Sequence, residues 1–212
     1  MGWQAGSQPA VAPGRDQLAM QGALKRLTDV VLAALMVIIL SPVLMIGCLT
    51  VLVTMGRPVI FRHERSGKNG VPFRIIKLRT MLDDPNGKMT DSERVTRSGL
   101  LLRKYSIDEL PQLFNVLGGS MSLVGPRPLL REYDALYSAE QLRRLLAKPG
   151  LTGLAQVIGR NDLSWDDKLA LDVQYIDRQS FWLDIKILLK TSLVVVTASG
   201  FRRSGEATKF SE

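Results

Sequence analysis

Residues 30–55, VVLAALMVIILSPVLMIGCLTVLVTM, decide the class of protein because they contain no charged side chain. At a rise of ~1.5 Å per residue, a straight helix over this stretch would be ~39 Å long, against a hydrocarbon core of ~30 Å. The stretch is therefore long enough to cross a bilayer. It is also too long for the buried core helix of a soluble protein.

The middle of this stretch predicts a break, since Pro42 lacks the backbone N–H that a helix interior needs and disfavours helical geometry at Ser41. Basic residues flank both ends of the stretch: Lys25 and Arg26 before it, and Arg57, Arg62 and Arg65 after it. The positive-inside rule therefore gives no direction. From the residues alone, two topologies stay open: a helix that spans the membrane, and one that breaks at Ser41–Pro42 and returns to the cytosolic face.

The composition of the chain favours an anionic partner without identifying it. The chain has 212 residues and a formal net charge of +8, which favours nucleic acid, phosphate-bearing metabolites or lipid headgroups. The single cysteine, Cys48, cannot form an internal disulfide and suits a reducing, cytosol-facing domain. MIGC at 45–48 resembles a lipoprotein cleavage box, but the chain stays apolar beyond Cys48, which argues against that alternative.

The rest of the chain predicts an α-rich α+β domain. A β-hairpin is expected within 57–81, with its turn at 67–70 and a polar loop at 82–92. Helical spacing covers 93–104, 106–117, 132–147 and 164–177, and 118–128 reads as a shaped loop. Residues 180–196 fit either an amphipathic helix lying at a membrane interface or an ordinary core-facing helix. The predicted units are a disordered leader 1–22, a membrane helix 23–56, a folded domain 57–200 that carries the candidate catalytic residues, and a loose tail 201–212.

Two adjacent acids, Asp108 and Glu109, permit two interpretations. With Ser106 they match the S-x-x-E capping box, and acids in a first turn are favoured by the helix dipole. Pro111 moves the expected helix start to a later residue and leaves the acids at its lip. There Asp108 would be an ionised nucleophile and Glu109 an oxygen ligand for Mg²⁺, which binds carboxylates together with substrate phosphates.

Cations that could hold a phosphate lie in separate stretches of the chain: Lys77, Arg79, Arg103, Arg127 and Arg160. Arg127 stands out because Pro126 and Pro128 stiffen the backbone on either side of it. Taken singly, each of these cations, Arg127 included, is better explained as a solvated surface charge. The sequence contains no zinc-type His/Cys cluster, no Walker or dinucleotide glycine motif and no serine nucleophile elbow.

Five stretches together resemble the bacterial sugar transferase family, the monotopic phosphoglycosyl transferases: SPVL at 41–44, KLRTM at 77–81, YSIDELPQLFNVLGGSMSLVGPRP at 105–128, PGLTGLAQVIGRN at 149–161 and LALDVQYI at 169–176. The motifs follow the family's order from about Lys25 to Lys190. The resemblance is to the small branch of the family, which has only the catalytic domain.

The resemblance implies transfer of a sugar-1-phosphate from a UDP-sugar to undecaprenyl phosphate, with release of UMP, at the cytosolic face of the bacterial inner membrane. It implies a covalent phosphosugar on Asp108, with Asp108 and Glu109 as ligands of Mg²⁺. Further positions that match active-site residues of the family are Lys77, Arg103, Arg127, Arg160 and Asp172. The family's membrane helix is re-entrant and breaks at a Ser–Pro pair, here Ser41–Pro42. A phospholipid membrane is thus an expected partner, nucleic acid is not, and a homo-oligomer is left open.

Two other functions compete with the enzyme. A basic, membrane-anchored binding module would recruit anionic partners through surface Lys and Arg, without catalysis. A regulator with a spanning anchor would place its two flanks on opposite sides of the membrane. Binding by the module would survive substitution of Asp108 and Glu109, whereas the activity of the enzyme would not. The regulator is distinguished from the enzyme by the topology of its membrane helix.

Overall fold

The computed structural model describes residues 15–84, 86–159 and 163–197. Its α-helices are α1 (Arg15–Met55), α2 (Asp91–Arg94), α3 (Arg97–Lys104), α4 (Gln112–Leu117), α5 (Ala139–Leu142), α6 (Leu154–Ile158), α7 (Trp165–Arg178) and α8 (Phe181–Thr197). The strands are β1 (Ile60–Ser66), β2 (Pro72–Leu78), β3 (Ser122–Val124) and β4 (Gly150–Thr152). Helix α1 begins at Arg15, inside the predicted leader 1–22. Residues 1–14 and the predicted tail 201–212 lie outside the described residues.

Helix α1 keeps its apolar side chains largely in solvent. Ile38 is 71%, Met45 65% and Val53 75% exposed, which no core helix of a soluble protein would show. Of the described residues, Gly22–Met55 form the one helix that is long and apolar enough to cross a membrane. The sequence-based prediction of a membrane-compatible helix is confirmed at this level.

The predicted break at Ser41–Pro42 does not interrupt helix α1. The chain stays helical from Arg15 to Met55 with Pro42 inside it. The Ser41 hydroxyl donates a 2.8 Å hydrogen bond to the Ile38 carbonyl oxygen, one turn earlier. The re-entrant course of this helix in a membrane stays a prediction.

Helix α1 is fastened to the rest of the molecule in its first half and at its end. In the first half, the Arg26 guanidinium donates to the carbonyl oxygens of Val116 and Leu117, at 2.6 and 2.8 Å. At its end, Arg79 donates to the Met55 carbonyl, which the helix itself leaves without a partner. The helix is therefore part of the folded domain.

The predicted hairpin is confirmed. Strands β1 and β2 are antiparallel from Ile60 opposite Leu78 to Ser66 opposite Pro72. A 3₁₀ turn at Lys68–Gly70 joins them, with Asn69 and Gly70 in the left-handed region at φ 56° and 73°. A second pair, β3 and β4, is parallel and was not predicted from the sequence. Each of its strands has only three residues, too few for a period of two to be visible.

Some of the predicted helices are present in the structure and others are not. Helices α7 and α8 confirm 164–177 and 180–196. The prediction for 132–147 is wrong, because this segment consists of 3₁₀ turns at Arg131–Leu136 and Arg143–Leu146 around the single turn of α5. The segment predicted as one helix over 93–104 contains the end of α2 and the whole of α3. The new helix begins after Thr96, its N-cap, which accepts a 2.9 Å hydrogen bond from the Gly99 N–H.

The core lies between α1 and the small sheets. One cluster of buried side chains joins Ala33 of α1 to Ile75 of β2, and to α4, β3, α7 and α8. A second cluster joins Val51 of α1 to Leu78 and Leu102. Because Ala33 and Val51 are fully buried, α1 contributes to the core at two separate levels.

Candidate active site

The two acids lie in a single 3₁₀ turn, Ile107–Glu109, just before α4. Helix α4 begins at Gln112 with Pro111 as its N-cap, as the position of the proline predicted. The capping-box interpretation is wrong, because Ser106 has φ 54° and its hydroxyl does not cap this turn. The turn therefore presents Asp108 and Glu109 at the lip of a helix.

Glu109 is held between two of the predicted cations. Its Oε1 accepts a 2.6 Å hydrogen bond from Lys77 Nζ and a 2.9 Å hydrogen bond from Arg127 Nη2. Lys77 lies near the end of β2, and Arg127 follows β3. The fold thus joins three stretches that are well separated in sequence. Burial by itself would raise the pKa of the Glu109 carboxyl, but Arg127 and Lys77 together hold that pKa well below its usual range.

Asp108 differs from its neighbour in its environment. It is only 7% exposed, and burial raises the pKa of its carboxyl to about 6, with repulsion from Glu109 adding to the rise. Lys77, Arg103 and Arg127 oppose this rise through their charges. Within the described residues, however, no side chain or backbone group donates a hydrogen bond to the Asp108 carboxylate. Asp108 is therefore an anion at neutral pH with its lone pairs available for reaction or for a ligand.

Arg103 stands at the edge of this cluster. Its Nε donates a 2.8 Å hydrogen bond to Thr80 Oγ1, which fixes the side chain. Its charge acts on both Asp108 and Glu109. The structure thus brings together four of the predicted residues and places Arg103 beside them: Lys77, Asp108, Glu109 and Arg127.

Arg79 is not part of the cluster. It is only 6% exposed and donates to the carbonyl oxygens of Met55 and Gly56 and, at 2.8 Å, to Asp83. Strand β2 ends at Leu78, and the Arg79 side chain lies against the end of α1. Its predicted part in substrate binding has no contact to support it. Arg160 lies outside the described residues.

Asp172, on α7, is 4% exposed and is paired with an arginine that sequence reasoning missed. Arg144 donates to Asp172 Oδ2 from Nε at 3.1 Å and from Nη2 at 2.8 Å. Nothing in LRRLL, 142–146, distinguishes Arg144 from Arg143, whose side chain pairs with Glu140 and Asp177 at the surface. Burial raises the pKa of Asp172, and the charge of Arg144 opposes that rise.

Asp108 and Glu109 fit the donor set of Mg²⁺ when a phosphate-bearing substrate supplies further ligands. The described residues contain no group of three or more His, Cys, Asp or Glu side chains that could hold a metal. Mg²⁺ accepts one or two carboxylates when substrate phosphates and water complete its shell. Asp108 and Glu109 supply such a pair, so a metal here would bind together with a phosphate-bearing substrate.

Comparison with known proteins identifies the family. A family model described as bacterial sugar transferase matches residues 20–198. The chain is 46% identical over 188 residues to an uncharacterized sugar transferase, EpsL, of Bacillus subtilis, covering 87% of this chain and 93% of that protein. It is 46% identical over 180 residues to the UDP-glucose:undecaprenyl-phosphate glucose-1-phosphate transferase of Caulobacter vibrioides, covering 79% and 67%. It is 40% identical over 197 residues to the undecaprenyl-phosphate galactose phosphotransferase of Salmonella typhimurium, covering 84% of this chain and 41% of that protein. This protein belongs to the bacterial sugar transferase family.

Proposed function

We propose that this protein is a phosphoglycosyl transferase that moves a sugar-1-phosphate from a UDP-sugar to undecaprenyl phosphate, giving the undecaprenyl-diphospho-sugar and UMP. This is the first membrane step in assembling a glycoconjugate. The names of the Caulobacter and Salmonella relatives support the reaction type. The observation that carries the proposal for this chain is the buried Asp108, to which no described residue donates a hydrogen bond, beside a Glu109 that Lys77 and Arg127 hold.

In the first step, a carboxylate oxygen of Asp108 attacks the sugar-linked phosphorus of the UDP-sugar. A new bond joins that oxygen to phosphorus, the bond from phosphorus to the bridging oxygen breaks, and UMP leaves with the electron pair. The product on the protein is an acyl phosphate, the phosphosugar on Asp108. A carboxylate with few hydrogen bonds suits this role because little solvation must be removed before it attacks.

The cations around Glu109 suit the charge that this step develops. Lys77 and Arg127 lie within hydrogen-bond distance of Glu109, so a diphosphate that reaches Asp108 meets both of them. Arg127 can bind two phosphate oxygens at once through its planar guanidinium. Mg²⁺ held by Asp108 and Glu109 would supply a further positive charge for the phosphates when it is bound.

In the second step, a phosphate oxygen of undecaprenyl phosphate attacks the phosphosugar on Asp108. The bond between phosphorus and the Asp108 oxygen breaks, the diphosphate of the lipid product forms, and the carboxylate is restored. Two separate displacements allow a water-soluble donor and a lipid acceptor to use the site in turn.

The exposed apolar surfaces of α1 and α8 support a site near the membrane. On α8, Ile187 is buried, whereas Trp182 is 71%, Leu189 69% and Val196 76% exposed. Interfacial helices combine such an apolar face with Trp and Lys at headgroup depth. With α1 re-entrant and α8 on the surface, the acids would face the cytosol at the level of the lipid phosphates.

The test is release of UMP by the full chain in nanodiscs, with undecaprenyl phosphate, Mg²⁺ and a panel of UDP-sugars. We expect release with at least one sugar, and a mass increase of one phosphosugar on the protein when the acceptor is left out. Asp108→Asn should lose both signals, whereas Asp91→Asn, an exposed acid on α2, should keep them. An Asp108→Asn variant that still gains the phosphosugar would overturn Asp108 as the nucleophile.

Topology is tested separately with an impermeant maleimide on spheroplasts. Gln4→Cys and Lys68→Cys, each in a Cys48→Ala background, flank α1 on its two sides. A re-entrant helix predicts that both remain unlabelled until the membrane is opened. Labelling of one residue alone in intact spheroplasts would show a spanning helix.

A further inference from the structure

Arg144 is the most enclosed of the ion-paired cations in the described part of the chain, with 2% of its side chain exposed. Its guanidinium uses every nitrogen. Nε and Nη2 donate to Asp172, Nη2 also donates to the Arg127 carbonyl oxygen at 2.5 Å, and Nη1 donates to Tyr137 Oη at 3.3 Å. Such a fork fixes direction as well as charge, which a lysine ammonium cannot reproduce.

A buried ion pair of this kind needs a reason other than net stability. Removing two charges from water costs about as much as their attraction returns, and replacement by apolar side chains is often neutral. What the pair does provide here is a rigid donor at one chosen backbone atom, the carbonyl oxygen of Arg127. Arg144 thus holds the backbone of Arg127, the residue whose own guanidinium binds Glu109.

The backbone around Arg127 is held at three successive residues. The Gly125 N–H donates to the Thr152 carbonyl, and the Gly150 N–H donates to the Pro126 carbonyl, both at 2.9 Å. Arg144 completes the series at the Arg127 carbonyl. Prolines on both sides restrict the remaining dihedral freedom. The Arg127 side chain itself is 47% exposed and has no other anchor in the described residues than Glu109.

We propose that Arg144, oriented by Asp172, is a positioning residue that fixes the Arg127 backbone and so aims the Arg127 guanidinium at the diphosphate of the sugar donor. The inference rests on the proposed function for the identity of that ligand. It also gives Asp172 a different role from direct substrate binding, because its carboxylate is buried against Arg144 and orients that side chain.

The first variant is Arg144→Lys, which keeps the charge and loses the fork. We expect the KM for the UDP-sugar to rise roughly tenfold, because small displacements of a binding group are costly, with a smaller change in kcat. Arg143→Lys, at the adjacent surface position, is the matched control and should leave KM unchanged. The second variant, Pro128→Ala, loosens the same carbonyl without touching the buried pair and should raise KM in the same direction.

A double-mutant cycle separates positioning from a general structural role. In an Arg127→Ala background, Arg144→Lys should raise KM no further, since the group that it aims is gone. Additive effects of the two substitutions would overturn the proposal, as would an unchanged KM in Arg144→Lys. If Arg144→Lys does not fold, Pro128→Ala in the same cycle decides between these outcomes.

Calorimetric binding of UDP keeps this inference apart from the proposed reaction. If no UDP-sugar is turned over by the unmodified protein, the transferase proposal fails. Positioning would still be supported if Arg144→Lys weakened UDP binding in the otherwise unmodified protein but had no effect on UDP binding in the Arg127→Ala background. Normal UMP release with unchanged UDP binding in Arg144→Lys and Pro128→Ala would overturn the positioning role and leave the transferase intact.

Discussion

Two aspartates in this molecule are buried to nearly the same extent, Asp108 at 7% and Asp172 at 4% exposure, yet their surroundings differ in kind. Burial raises the pKa of both carboxyls. Asp172 accepts two hydrogen bonds from the Arg144 guanidinium, whereas no described group donates one to Asp108. Burial alone therefore does not separate the proposed nucleophile from Asp172, whereas the hydrogen bonds that Asp172 Oδ2 accepts from Arg144 do.

The reason that Asp108 keeps its lone pairs lies in the neighbouring residue. Lys77 and Arg127 both place their donors on Glu109 Oε1, so their charges reach Asp108 without direct contact. Charge at a distance keeps a carboxylate ionised, while a direct hydrogen bond would also occupy an electron pair that the proposed reaction needs. Because Glu109 accepts the hydrogen bonds of Lys77 and Arg127, these two side chains do not bond to Asp108.

The largest difference is expected from Asp108→Asn. UMP release should fall by at least ~10³-fold, as in other enzymes that lose their nucleophile. Thermal stability should not fall, because the substitution removes a buried charge that Glu109 repels. UMP assays and thermal unfolding in the same detergent check both halves. A variant that is both inactive and strongly destabilised would mean that Asp108 is structural, like Asp172.

Asp172→Asn should show the reverse pattern. Losing one partner of a buried pair leaves Arg144 uncompensated, which costs about 3 kcal/mol of unfolding free energy. We expect a clearly lower midpoint in denaturant, with the phosphosugar adduct still formed by the folded fraction. The exposed pair of Arg131 and Glu64 offers the control, and Glu64→Gln should change the midpoint little.

The sequence predicted which residues come together beside Asp108 better than it predicted the contacts that orient them. The long apolar helix, the hairpin and the acids before Pro111 could be predicted because each depends on local composition or backbone chemistry. Arg144 and the β3–β4 pair could not, since their identity comes from contacts across the fold. Arg79 shows the same limit: it is two residues from Lys77, yet its side chain binds the carbonyl oxygens of Met55 and Gly56, a contact that the local sequence does not indicate.

Arg79 offers a further contrast, because sequence reasoning placed it with the substrate. Arg79→Ala should lower the unfolding free energy by roughly 2 kcal/mol, since charge-assisted hydrogen bonds to the last carbonyls of α1 are lost. The KM for the UDP-sugar should remain unchanged in the folded protein. A raised KM at unchanged stability would instead return Arg79 to the substrate site.

The smallest effect expected is on pH dependence, and it follows from the sign of the Asp108 shift. Because burial, with help from Glu109, raises the pKa of Asp108 to about 6, the proposed nucleophile becomes protonated as the pH falls through that value. The kcat/KM for the UDP-sugar should then decline about tenfold per pH unit below about 6.

Glu109→Gln sharpens this comparison, since it removes the charge that repels the ionised form of Asp108. The acid limb of its residual activity should move to lower pH, even though the activity itself is reduced. If the limb stayed near 6, burial alone would set the pKa of Asp108. A limb that moved to higher pH would show instead that Lys77 and Arg127, once released from Glu109, no longer support the Asp108 carboxylate.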